Sequence, residues 1–363
     1  MATLNRFKIE PKNTIFRPTA EKLRELSFEM SNAQVTCFDN LNIQTEVDAR
    51  SKKSTYIIDD DPSKHSDQCM TRIEAHRVAG IQDEFKRSAE MICVDGYIGN
   101  DPAYRTPARL WMERAYANIA AMQNLLYYPL EGTEGDDWEP ELTVVYTPSV
   151  TAEGYPNGRC ITVDLEAGIT RVMNSDYFGE SKKGGLRMWN SLVFNKGGLA
   201  LHAGCKQIPV GDMKKTALIV GLSGTGKTTT TFTRQNDSGP VQDDFVAMMA
   251  DGSIQATENG CFAKTFGLSI KDEPTIHAAV CRNVSYLENV AQNEDRSLDF
   301  FDEAYTQNGR AVIRMEDIDG AIDAREVPKA DFLLILNRNE NIIPGVCKLD
   351  VSQAAAYFML GET

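Results

Sequence analysis

The sequence predicts a mixed α/β (α+β) protein built in two parts. Three observations carry that reading. Short apolar runs of strand length recur between Gly, Pro and Asp turns. Helical spacing of apolar residues appears in only a few segments. A glycine-rich phosphate-loop pattern follows an apolar run and precedes a threonine-rich segment fit to open a helix. The 363 residues allow two or three domains. The acidic, glycine-bearing stretch 131–140 is the best candidate boundary, dividing residues 1–140 from residues 141–363.

The first forty residues are polar, apart from a short helical pattern after Thr19 with Leu23, Leu26 and Met30. Tyr56-Ile57-Ile58 reads as a strand ended by the turn Asp59-Asp60-Asp61-Pro62, and Met91 to Val94 as another. Thr106-Pro107 reads as a helix start, because threonine caps and proline is tolerated in the first turn. Leu110, Ile119, Met122 and Leu126 then follow at helical spacing, and Pro129 stops the helix. Past the connector, Leu142 to Tyr146 and Cys160 to Val163 are further strands.

Composition narrows the function. Forty-two per cent of residues are hydrophobic, enough for a substantial core. Thirty-eight Lys and Arg against 52 Asp and Glu leave a formal charge of −14, which argues against gripping nucleic acid or an anionic membrane by bulk charge. An anion would have to be held by a local cluster of cations. The N-terminus shows no signal-peptide run and no apolar stretch has bilayer length. The eight cysteines include no Cys-x-x-Cys pair and read as reduced thiols. The expectation is a soluble cytoplasmic protein.

The sharpest motif is Gly221-Leu222-Ser223-Gly224-Thr225-Gly226-Lys227-Thr228, followed by Thr229. A chance match arises in about one chain in a hundred of this length. Ala217 to Val220 supplies the preceding strand, and Thr228 to Thr231 can open the helix. Glycines let backbone N–H groups converge on phosphate oxygens, and the helix N-terminus adds its positive end. In that arrangement Lys227 bridges the outer phosphates and the Thr228 hydroxyl reaches magnesium. Sixteen residues after Lys227 comes Asp243-Asp244, a carboxylate pair at a strand end, where phosphate-loop proteins hold their metal. Alone, such a pair is more often a solvated loop.

Other segments have bland readings singly. Lys182-Lys183 is an exposed turn, His202 a core histidine, and Arg310 after Asn308-Gly309 a hairpin end. In series, however, Tyr177-Phe-Gly-Glu-Ser-Lys182-Lys183-Gly, His202, the phosphate loop, Asp243-Asp244, Gly260-Cys-Phe-Ala-Lys264-Thr and Arg310 resemble the ATP-dependent phosphoenolpyruvate carboxykinase family. The match is strong over about residues 170–350. It extends more weakly to Arg50-Ser51-Lys-Lys-Ser-Thr-Tyr56, which looks like the family's substrate-arginine strand.

The resemblance implies an N-terminal α/β domain followed by a mononucleotide-binding carboxykinase-type domain, with the active site between them. It implies conversion of oxaloacetate and ATP to phosphoenolpyruvate, ADP and carbon dioxide, a gluconeogenic lyase reaction. Magnesium would travel with the nucleotide, and manganese would join the γ-phosphate to the substrate oxyanion. Manganese ligands would be Lys183, His202 and Asp244. Arg50, Tyr177 and Arg310 would hold the substrate, Lys182 and Lys264 would add positive charge at the phosphoryl group, and Glu273 and Arg310 would join residues 221–229 in contacting the nucleotide.

Two features depart from the family pattern. The pattern continues past residue 363, and Tyr357 to Thr363 looks like the start of a mobile lid. The polypeptide is accordingly expected to be a truncated piece, one half of a split enzyme completed by a separate C-terminal segment, or a shortened paralogue. Also, Asp48 and Ala49 precede Arg50, where the family has a glycine next to the arginine. An inward Asp48 would repel oxaloacetate and favour another small acid as acceptor. The alternatives kept beside the carboxykinase reading are a kinase for a different small acid and a nucleotide- and metal-binding sensor or subunit without turnover.

Overall fold

The structure is a computed structural model, described here for residues 11–65, 68–135, 138–222, 224–338, 341 and 345–360. Ser223 of the phosphate loop and residues 361–363 of the lid-like stretch lie outside the described residues.

The mixed α/β class expected from the sequence is the class observed. The largest sheet has eight strands in the order Asn13–Phe16, Glu90–Ile98, Thr106–Glu113, Leu142–Thr147, Ile169–Met173, Cys160–Asp164, Thr55–Ile58 and Cys69–Met70. Helix α1 (Ala20–Phe28) begins where expected. The Thr19 side chain accepts from the Lys22 N–H at 3.2 Å and satisfies a donor that the first turn leaves free. Helix α2 (Arg72–Ser88) is capped in the same way by Thr71.

The helix expected to start at Thr106 is a correction. Thr106–Glu113 is a strand, antiparallel to Glu90–Ile98 and parallel to Leu142–Thr147. Ala108, Leu110 and Met112 are buried while Arg109, Trp111 and Glu113 are only partly so. This two-residue alternation outweighs the Thr-Pro cap signal, since a face with that period can only be buried by a strand. The helix proper, α3 (Ala117–Leu126), starts eleven residues later and carries Ile119, Met122 and Leu126 into the core.

The sheets do not follow a division at residue 140. Thr106–Glu113 and Leu142–Thr147, on either side of the acidic connector, pair with each other. Conversely Leu41–Ile43 leaves the N-terminal part and pairs in parallel with Tyr286–Glu288. It completes a five-stranded sheet ordered Gly260–Lys264, Arg310–Arg314, Tyr286–Glu288, Leu41–Ile43 and Ala33–Val35.

Helix α4 (Gly179–Asn195) packs on the eight-stranded sheet and buries Leu186, Met188, Trp189 and Val193. No side chain of its own N-cap caps it. Instead the fully buried Glu288 accepts the Phe178 N–H at 2.8 Å. A four-stranded sheet, Gly239–Gln242, Ala203–Val210, Met213–Val220 and Phe332–Ile335, leads into helix α5 (Lys227–Phe232). Helices α6 (Pro274–Val280) and α7 (Val351–Leu360) follow.

Candidate functional site

The phosphate loop sits between the strand Met213–Val220 and α5, the order that its chemistry needs. Gly224 and Gly226 have φ of +83° and +88°, a left-handed conformation that a Cβ would strain. The Lys227 ammonium meets Asp243 Oδ1 at 2.8 Å, and the Thr228 hydroxyl donates to Asp243 Oδ2 at 3.0 Å. Asp243 thus holds the side chains of both Lys227 and Thr228. Thr229 donates to Glu273 Oε1 at 2.8 Å, and both line a cavity of about 210 Å³ beside α5 and α6. Glu273 is therefore brought to the loop.

The next residue along the chain serves a second cluster. Lys182, fully buried on α4, lies 2.7 Å from Asp244 and 2.8 Å from Glu258. Lys183 donates to the same Asp244 oxygen at 2.8 Å, and His202 Nε2 lies 2.6 Å from the other. The His202 ring stacks on Phe245 with centroids 5.6 Å apart, and the Lys183 ammonium sits 4.3 Å from that ring's centre. Asp244 holds φ at +108°, rare for a residue with a side chain and concentrated at functional sites. The backbone is bent there so that Asp243 and Asp244 face two different clusters.

The charges are tuned by burial. Burial opposes the charge on Lys182, but Asp244 and Glu258 outweigh it and push its pKa up. Lys183 shares Asp244 and has Lys182 as a neighbour. Burial prevails there and brings its pKa down to about 8. Burial works against an ionised Asp244, but Lys182, His202 and Lys183 hold its pKa well below the usual carboxylate range. Among the described residues no group of three or more His, Cys, Asp or Glu gathers around a metal-sized space. The donor set that does converge is mixed. It comprises an anionic carboxylate, an imidazole 61% exposed to solvent, and a lysine lowered toward neutrality. Such a set fits a divalent cation once Lys183 is deprotonated.

The third group is cationic and aromatic. Lys264 and Arg310 stand directly opposite each other on antiparallel strands. Like charges in that position are unfavourable without an anion to share. The Arg310 guanidinium lies 5.4 Å from the centre of the Phe262 ring and donates to Asn308 Oδ1 at 2.8 and 3.0 Å. Asn308 in turn donates to the Tyr177 hydroxyl at 3.3 Å and to the carbonyl of Asp48. Tyr177 is buried, and Gly179 lets its ring fold back, since a Cβ there would come within 2.3 Å of it. Burial raises the Tyr177 pKa, and the charges of Arg310 and Arg50 work against that rise. Arg50 itself is exposed. Asp48 is half-buried, and its charge acts on the Tyr305 phenol.

The structure brings Lys227, Thr228, Thr229 and Glu273 together, gathers Lys182, Lys183 and His202 on Asp244, and sets Tyr177 and Arg310 about Asn308, while exposed Arg50 reaches this last group only through its charge. Asn308, Glu258 and the division of labour between the two aspartates were not foreseen, because no spacing rule signals a contact between segments so distant in the chain.

A family model for phosphoenolpyruvate carboxykinase matches residues 12–363. The phosphoenolpyruvate carboxykinase (ATP) of Alkaliphilus oremlandii is 28% identical over 362 residues, which cover 94% of this chain and 66% of that protein. That of Rhodopseudomonas palustris (strain ATCC BAA-98 / CGA009) is 32% identical over 300 residues, 80% of this chain and 54% of the relative. Phosphoenolpyruvate carboxykinase (ATP) 1 of Moorella thermoacetica is 29% identical over 376 residues, 99% of this chain and 70% of the relative. The chain thus spans between about half and 70% of the length of these relatives. Matched over nearly its whole length, the chain belongs to the ATP-dependent phosphoenolpyruvate carboxykinase family.

Proposed function

We propose that this chain carries the catalytic centre for conversion of oxaloacetate and ATP to phosphoenolpyruvate, ADP and carbon dioxide. The observation that carries the reading is the split at Asp243-Asp244. One aspartate serves the phosphate loop, and its neighbour binds Lys182, Lys183 and His202. A nucleotide on the loop and a small acid beside Arg310 would therefore meet across a single peptide unit.

The residues divide the work. Backbone N–H groups of residues 221–229 and Lys227 bind the triphosphate, with Asp243 releasing Lys227 as phosphate replaces it. Arg50, Tyr177 and Arg310 hold the oxaloacetate carboxylates. Lys182 and Lys264 neutralise charge on the transferring phosphoryl group. Lys183, His202 and Asp244 would hold manganese, and Thr228 with Asp243 would hold magnesium. When bound, these ions supply Lewis-acid stabilisation of the enolate and phosphoryl oxygens. Loss of carbon dioxide leaves an enolate whose oxygen attacks the γ-phosphorus in line, with ADP as leaving group. Positioning and neutralisation supply most of the catalysis in such a transfer.

No helix among the described residues is long and apolar enough to cross a membrane, and the −14 charge supports small-molecule rather than nucleic-acid partners. A cytoplasmic location agrees with both.

The test is a two-product assay with ATP, oxaloacetate, magnesium and manganese. Phosphoenolpyruvate formed in step with ADP is the expected result. ADP without phosphoenolpyruvate would replace the reading with a kinase or hydrolase acting on another acceptor, the outcome that Asp48 beside Arg50 would explain. Neither product, with nucleotide still bound, would leave a binding subunit.

A further inference from the structure

Arg50 lies on a strap, residues 45–51, that belongs to no strand or helix. The strap is nevertheless held at several points. Asp176 accepts the backbone N–H of Glu46 at 2.8 Å and of Val47 at 2.9 Å, one with each carboxylate oxygen. Glu180, fully buried in the first turn of α4, accepts the N–H of Ser51 at 2.7 Å, and Arg187 donates to its other oxygen at 3.1 Å. Arg159 donates to the Ser51 hydroxyl at 3.1 Å. The two carboxylates stand one helical turn apart in sequence and grip amides on both sides of Arg50. Glu180 also lies only two and three residues before Lys182 and Lys183.

We infer that Asp176 and Glu180 are positioning residues, a two-carboxylate clamp that fixes the substrate arginine relative to the lysines of α4. Glu180 is fully buried, and its charge is compensated there by the buried Ser51 amide and by Arg187, so losing the carboxylate leaves both without their partner. Carboxylate-to-amide bonds are short and strong, and they leave the Arg50 guanidinium free to face a substrate carboxylate. The clamp acts on the acid half of the site and does not touch the phosphate loop. This inference rests on the carboxykinase reading for its substrate and on geometry alone for the clamp.

The test compares wild type with Asp176→Asn, Glu180→Gln and Glu180→Ala in the full chain. Amide hydrogen exchange at Val47 and Ser51 reports the clamp. KM for oxaloacetate and for ATP reports its use. The expected result for Glu180→Ala is exchange at Ser51 faster by at least about tenfold and KM for oxaloacetate raised about 10–100-fold, with KM for ATP within twofold. Glu180→Gln, which keeps an acceptor for Ser51, should recover most of both, and Asp176→Asn should speed exchange at Val47. Unchanged exchange in Glu180→Ala and Asp176→Asn overturns the clamp. Equal rises in both KM values overturn its role in holding the acid. If wild type forms no phosphoenolpyruvate, the functional reading fails, while the exchange data still decide whether the clamp exists.

Discussion

The proposed nucleotide half and the proposed acid half of the site are built differently. The nucleotide half is mostly contiguous: strand, loop and α5 run through residues 213–232, Asp243 and Glu273 are added from outside, and the described side chains of the loop are partly or fully exposed. The acid half is assembled from five segments, around residues 50, 177–183, 202, 244–264 and 308–310, and its centre is buried. The loop takes its shape from local backbone preferences. The buried cluster exists only once two sheets and α4 have packed, so its charges are bound up with the stability of the fold.

That difference can be broken most severely at Asp244. Asp244→Ala leaves Lys182 with Glu258 alone and removes the group on which Lys183 and His202 converge. Turnover should fall roughly 10³-fold. Unfolding stability should drop by about 3–5 kcal/mol, as for other broken buried pairs. Kinetics and urea titration of one protein sample measure both.

Lys227→Ala probes the contiguous half. It should weaken ATP binding about 10–100-fold by calorimetry, the contribution of a charged hydrogen bond, and shift the unfolding midpoint less than Asp244→Ala does. A larger stability loss at Lys227 would erase the contrast.

The buried half should also show a pH signature. Burial pushes the Glu288 pKa from 4.5 up to about 8, so the folded chain holds a proton there that the unfolded chain has released. The stabilisation is complete below about pH 4.5 and declines as pH rises toward 8, by up to about 5 kcal/mol. Glu288→Gln keeps the bond to the Phe178 N–H and should flatten that slope in denaturant titrations at several pH values. An unchanged slope would show that Glu288 is ionised when folded.

The smallest effect is expected at Lys264, which is exposed, with its ammonium 5.5 Å from the centre of the Phe266 ring. Lys264→Met should change stability by less than about 0.5 kcal/mol while lowering kcat. Its separation of folding from turnover would sharpen the comparison.

The same contrast explains what the sequence could disclose. The phosphate loop was legible because its residues and its function are local, down to the strand before it and the helix after it. The strands at Tyr56, Met91, Leu142 and Cys160 were legible from apolar runs. Thr106–Glu113 was misread because a Thr-Pro cap signal stands in front of a segment whose alternation belongs to a strand. The connector at 131–140 does not separate the sheets, since composition marks a connector and says nothing of which strands it joins. Lys182, Lys183, His202 and Arg310 were legible only as a series resembling a family. Glu180, Glu258 and Asn308 act through contacts to segments far off in the chain, which no local pattern encodes.

The central claim is that the two halves of the proposed site meet at Asp243-Asp244, where Asp244, His202 and Lys183 would hold a divalent cation that supplies Lewis-acid stabilisation to the transferring phosphoryl group. The most direct measurement is the manganese-induced relaxation of the ATP phosphorus nuclei on the chain, with excess magnesium and sub-stoichiometric manganese. The account predicts that the γ-phosphorus relaxes fastest, and that Asp244→Asn or His202→Ala abolishes this while ATP stays bound. Relaxation of the γ-phosphorus that is unchanged in both variants would contradict it.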